Sequence, residues 1–222
     1  MLAGPGINDN GSGSAGLLEV ALQMARIPTK NKVRFAWWSA EELGLLGSQH
    51  YVASLSEADR ARIGLYVNFD MIASPNFSYM IYDGGQGPAG SVELEKRFAH
   101  YFDLLRLPHV PAALDGRSDY GPFMASGIPV GGLFTGAEGI KTAEEATMFG
   151  GQADKPYDAC YHGPCDTIDN IDDKALSVNT GAIAYTVGTY AFSSNPPART
   201  PVAKPAPRGM TPADTYRGGL IR

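Results

Sequence analysis

Apolar positions along the chain switch between a helical period and short continuous runs. Over residues 11–26, Leu17, Leu18, Ala21, Leu22 and Ala25 share one face of a predicted helix, and Pro28 lies just past its end. Residues 33–38 and 65–69 are β-branched and aromatic runs bounded by breakers, as buried strands are. Further strands are predicted at 77–82 and 130–134. Helices are expected at 43–55, where Leu46, Val52 and Leu55 repeat, at 92–105, at 120–125 and at 172–192. In the last of these Leu176, Ile183, Val187 and Tyr190 mark the inner face, and residues 56–59 look like the cap of a short extra turn.

Strands alternating with helices imply an α/β fold, a three-layer α/β/α sandwich. The gap between Asp70 and Phe77 is too short for a helical crossover, so the central sheet is expected to be mixed, though mainly parallel. One domain is assigned to residues 1–193. Residues 194–222 lack an apolar period and are rich in proline, which reads as a linker or disordered tail. At 222 residues and 44% hydrophobic content the chain can bury one substantial core. Its net charge of -5, with no basic stripe, argues against a nucleic-acid surface. No apolar run reaches the ~20 residues of a membrane span, and residues 1–20 lack a signal-peptide layout.

The candidate chemistry lies at the ends of these elements. Asp9 sits in a glycine-rich turn, 4–13, that opens a helix; Glu41 and Glu42 follow one strand and Asp70 another; His162 lies between Cys160 and Cys165. In open α/β sheets, ligands bind beyond the carboxyl ends of the strands. A carboxylate such as Asp9 could bridge two divalent ions about 4 Å apart, with Glu42, Asp70 and His162 as terminal ligands. Glu41 could serve as a proton carrier. Cys160 and Cys165 could close a short loop or remain two thiols.

Five local sequences agree with one family: Gly-Ile-Asn-Asp-Asn-Gly-Ser-Gly at 6–13, Ser-Ala-Glu-Glu-Leu-Gly-Leu-Leu-Gly-Ser at 39–48, Asn-Phe-Asp-Met-Ile at 68–72, Gly-Arg-Ser-Asp at 116–119, and Cys-Tyr-His-x-x-Cys-Asp-Thr at 160–167. Over residues 4–192 the chain resembles the M28 zinc aminopeptidases related to the secreted enzymes of Streptomyces and Vibrio. The resemblance implies that Asp9 bridges two zinc ions, that Glu42 and His162 bind one of them and Asp70 the other, and that Glu41 is the general base. It implies Tyr161 as a donor to the tetrahedral intermediate, Arg117 and Phe134 as cleft residues, and a Cys160–Cys165 disulfide worth roughly 2 kcal/mol.

The family's His-x-Asp motif, a dozen residues before the bridging aspartate, has no counterpart here, so the chain reads as N-terminally truncated and one zinc as the number retained. His50, His100 and His109 are expected at positions that do not fill its role. The resemblance further implies peptide or protein N-termini as substrates, a secreted monomer, and calcium as a further cation. Two alternatives stand beside the aminopeptidase: a catalytically impaired, non-enzymatic relic of the scaffold, and a dinucleotide-binding protein, because Gly11-Ser-Gly-Ser-Ala-Gly16 satisfies Gly-x-Gly-x-x-Gly.

Overall fold

The computed structural model describes residues 4–195 and Pro197; the proline-rich stretch expected from 194 onward otherwise lies outside the described residues. Four strands form one sheet: β1 (Tyr66–Phe69), β2 (Met80–Tyr82), β3 (Val110–Ala112) and β4 (Val130–Phe134), in the order β1-β4-β2-β3. β1 runs parallel to β4 and β2 parallel to β3, while β2 and β4 are antiparallel. The mixed, mainly parallel sheet matches the expectation.

Helices cover both faces. Alternation along each strand sends Ile81 and Leu133 to one core, with Phe98 and Phe102 of α4 (Ser91–Leu105) and Ile183 of α7 (Asp173–Phe192). Met80, Tyr82 and Val130 face the other core, with Val52 of α2 (Leu46–Ser54) and Phe123 of α5 (Gly121–Ala125). α1 (Gly13–Met24) joins the first of these layers. The short helix α3 (Glu57–Ala61) is capped by Ser56, whose hydroxyl accepts the Asp59 N–H at 3.1 Å. Asp172 caps α7 in the same way, through Ala175 N–H at 2.8 Å.

Three expectations need correction. The run 33–38 forms no strand and joins no ladder among the described residues, although Trp38 packs against the second core. Its composition suits a strand, but strand formation also needs a neighbouring backbone. The apolar face read along α1 turns only partly inward: Leu17 packs against the first core, but Leu18 is 50% exposed and Leu22 62%, and the helix buries Gly13, Gly16 and Val20. Small residues let it approach closely; a Cβ at Gly16 would stand 2.9 Å from Thr180 Oγ1 and 3.1 Å from Ile72 Cδ1. Gly16→Val should therefore cost about 1–3 kcal/mol through overpacking, read as a lowered thermal midpoint. Finally, β3 and α6 (Ala143–Phe149) were not anticipated. Pro111 masks the strand, and the Thr142/Glu145 capping box is the local signal that marks the helix.

Those glycines also dispose of the dinucleotide reading. A Cβ at Gly13 would meet Phe69 O at 2.1 Å, so the glycines serve close packing of this turn against the chain before Asp70.

Candidate metal centre

Three loops bring the candidate side chains together. Asp9 lies in the tight turn Ile7–Ser12, entered through Gly6 in the left-handed region (φ 68°) and closed by Gly11 N–H on Gly6 O at 2.9 Å. The neighbouring Asn10 ties this turn to the chain around Asp70. Its amide donates to Phe69 O at 2.9 Å, and its oxygen accepts the N–H groups of Gly13 at 3.0 Å and Met71 at 3.2 Å. Glu41 and Glu42 occupy a single 3₁₀ turn, Glu41–Leu43, set between left-handed Ala40 (φ 57°) and Gly44 (φ 96°). Cys160 and Cys165 form a disulfide, and His162 stands in the loop it closes with φ 55°. Ala40, Met71 and His162 are non-glycine residues in a conformation that costs about 1–3 kcal/mol, and each lies at or beside a candidate ligand or base.

His162 Nε2 lies 2.7 Å from Glu42 Oε1 and 3.1 Å from Asp9 Oδ2. One ligand atom from each of the three residues falls within 4.8 Å of the others. Asp70 is outside this group. Its Oδ2 accepts the Ser118 hydroxyl at 2.6 Å, while its Oδ1 is buried with no hydrogen-bond partner. Asp70 borders the same cavity of ≈ 410 Å³ as Asp9, Glu41, Glu42 and Asp119. The other histidines are elsewhere: His50 is on α2, His100 lies beside Tyr185, and His109 beside Phe102.

Tyr161 stacks on the His162 ring with centroids 3.8 Å apart. Arg117 is exposed and pairs with Glu138 at 2.9 Å, and Phe134 packs against the second core; neither borders the cavity.

Crowded carboxylates dominate the electrostatics. Burial, then the charges of Asp70 and Glu42, push the Asp9 carboxyl up to about 8. The same causes push Glu41 up to about 9. Burial raises Asp70 as well, against the opposing Ser118 hydrogen bond, and lifts Asp119 to about 6. Unfolded carboxyls release their protons near pH 4, so between about pH 4 and 9 the folded protein without a cation holds more protons. These groups therefore stabilise the fold in acid, and that contribution is lost as pH rises. Glu41→Gln, which cannot ionise, should gain thermal stability over wild type at pH 8 in chelator and gain much less at pH 4.5. Melting curves of both proteins at the two pH values check this.

A divalent cation would relieve that crowding, and the donor set fits zinc. Ligands at normal zinc distances from a tetrahedral ion stand about 3.3 Å apart, and His162 Nε2 lies 3.1 Å from Asp9 Oδ2 and 2.7 Å from Glu42 Oε1. One imidazole with two carboxylates is a zinc-type set. Asp70 Oδ1, buried and unsatisfied, is a further oxygen suited to a cation.

The profile of peptidase family M28 matches residues 1–187. The chain belongs to this family. Among curated M28 relatives, it is 53% identical over 197 residues to leucine aminopeptidase 2 of Arthroderma otae and 54% identical to that of Trichophyton equinum, covering 86% of this chain and 40% of each relative. The chain thus spans about 40% of the length of those relatives. Among solved structures it is similar to a zinc aminopeptidase from Bacillus subtilis, with TM-score 0.70, 26% identity, and coverage of 86% of this chain and 43% of that one. An aminopeptidase from an Aneurinibacillus strain gives TM-score 0.65 at 29% identity, covering 90% and 43%. These M28 likenesses favour neither the relic nor the dinucleotide alternative.

Sequence reasoning passed over Asn8, Asn10, Asp158 and Asp166, which fasten the loops. Two of them flank Asp9, and the other two flank the cysteine pair. Asn8, Asp158 and Asp166 are buried and Asn10 is half-buried, and burial is not visible in a sequence, so no local signal marked them.

Proposed function

We propose that this M28 chain forms the metal-binding part of an aminopeptidase that hydrolyses the N-terminal peptide bond of peptides. The observation that carries the reading is the convergence of Asp9, Glu42 and His162, with Glu41 in the same turn as Glu42. In this reading Asp9, Glu42 and His162 would hold the one zinc ion retained, and Asp70, which borders the same cavity, is assigned to the second zinc position of the family. Zinc when bound would supply Lewis acidity, activating a water and polarising the scissile carbonyl.

The chain's own residues do the rest. Glu41 takes a proton from the attacking water and delivers it to the leaving amine; burial and neighbouring carboxylates push its carboxyl up to about 9 without a cation, and the positive charge of a bound cation would lower it so that the carboxylate is ionised and able to accept that proton. Tyr161 stays a neutral donor, because burial and the charges of Asp9 and Glu42 raise its pKa; its hydroxyl is assigned to the carbonyl oxygen as negative charge develops there. One such donor is worth about 3 kcal/mol in the transition state. Arg117 and Phe134 are assigned to the outer substrate cleft.

The Cys160–Cys165 disulfide supports an extracellular setting, and no described helix is long and apolar enough to cross a membrane. A monomer is the proposed state. The test is hydrolysis of a leucine anilide: turnover with zinc that stops in chelator and returns on adding zinc is expected. Turnover indifferent to chelator would refute the reading.

A further inference from the structure

Asp166, directly after the disulfide, is 2% exposed and forms no ion pair among the described residues. Its partners are backbone and amide groups. Its Oδ1 accepts the Asn8 N–H at 2.9 Å, its Oδ2 accepts the Asp9 N–H at 3.1 Å, and its own carbonyl accepts the Ile7 N–H at 3.2 Å. Three consecutive amides are therefore held by one residue. Asn170 braces it from behind, donating to Asp166 Oδ1 at 3.2 Å and to both Asp158 oxygens at 2.9 and 3.1 Å. Asp158 in turn accepts the Asn8 side-chain amide at 2.7 Å and the Cys160 N–H at 2.8 Å. Gly4 passes so close to the same loop that a Cβ there would stand 2.0 Å from Gly163 O.

The disulfide-closed loop thus presents His162, and the residue just after its closing cysteine grips the backbone of Asp9. We propose that Asp166 is a positioning residue of the metal centre: its two carboxylate oxygens fix the Asn8 and Asp9 amides, and so hold the Asp9 carboxylate at a set distance from His162. This deepens the reading of Asp9 and His162 as zinc ligands and rests on it.

Only a carboxylate suits the position, because it accepts two N–H groups with two oxygens. In Asp166→Asn the amide NH₂ would face a backbone N–H, donor against donor, and one of the two bonds to the Asn8 and Asp9 amides would be lost at almost unchanged volume. Removing a group that orients a metal ligand typically lowers metal affinity 10–100-fold.

The experiment measures zinc affinity of wild type, Asp166→Asn and Asn170→Ala by chelator competition, and the visible spectrum of each with cobalt(II). Asn170→Ala disturbs the same buried network but leaves both bonds from Asp166 to the Asn8 and Asp9 amides. Expected are a 10–100-fold weaker zinc affinity and an altered cobalt spectrum in Asp166→Asn, with Asn170→Ala near wild type. Equal affinity and spectra in all three, or equal losses in both variants, would overturn the positioning role while leaving the zinc reading intact. A wild type that binds no zinc would refute that reading and this inference with it. Hydrogen exchange of the wild-type protein needs no variant to fold: Asn8 and Asp9 amides should be protected without metal, and rapid exchange of both would also overturn the proposal.

Discussion

Glu41→Gln is expected to lower the rate of leucine anilide hydrolysis by about 10²–10⁴-fold while zinc content stays at the wild-type level. The isosteric amide keeps the 3₁₀ turn between Ala40 and Gly44, so Glu42 stays beside His162, but it cannot take a proton from water. Metal analysis beside kinetics makes the point: unchanged zinc with lost turnover assigns Glu41 to proton transfer, whereas parallel loss of both would make it a ligand. Retained turnover would remove it from the chemistry.

His162→Ala should weaken zinc binding by more than 100-fold, a larger loss than for a residue that only orients a ligand. His162 contributes the single imidazole of the three-donor group, and without it Asp9 and Glu42 face one another as two crowded carboxylates. His100→Ala is the matched control, since that ring lies beside Tyr185 and is expected to leave zinc affinity unchanged. Isothermal titration of both variants checks the pair.

Much of the architecture was legible in the sequence because the chain follows local rules. Asp172 and Ser56 announce the helices they cap, and the short 70–77 connection made a mixed sheet necessary. The approach of Asp9, Glu42 and His162 was legible only through the joint order of motifs, since each residue alone is equally at home in a cap or a surface turn.

Tertiary context hid the rest. The run 33–38 has strand composition, yet whether it enters a ladder depends on its neighbours. α1 carries a leucine face, but Gly13 and Gly16 decide which side is buried, because close approach depends on the missing Cβ atoms. Asp70 lay in the right motif; its separation from the three-donor group, with Oδ2 on Ser118, is set by side-chain packing that no spacing rule contains.

Anomalous diffraction at the zinc edge, from crystals of the chain grown with zinc, tests the central claim most directly. The account predicts a peak at ligand distance from His162 Nε2 and from the carboxylates of Asp9 and Glu42. Zinc that binds only elsewhere on the surface, or no peak at that site with zinc in excess, would contradict it.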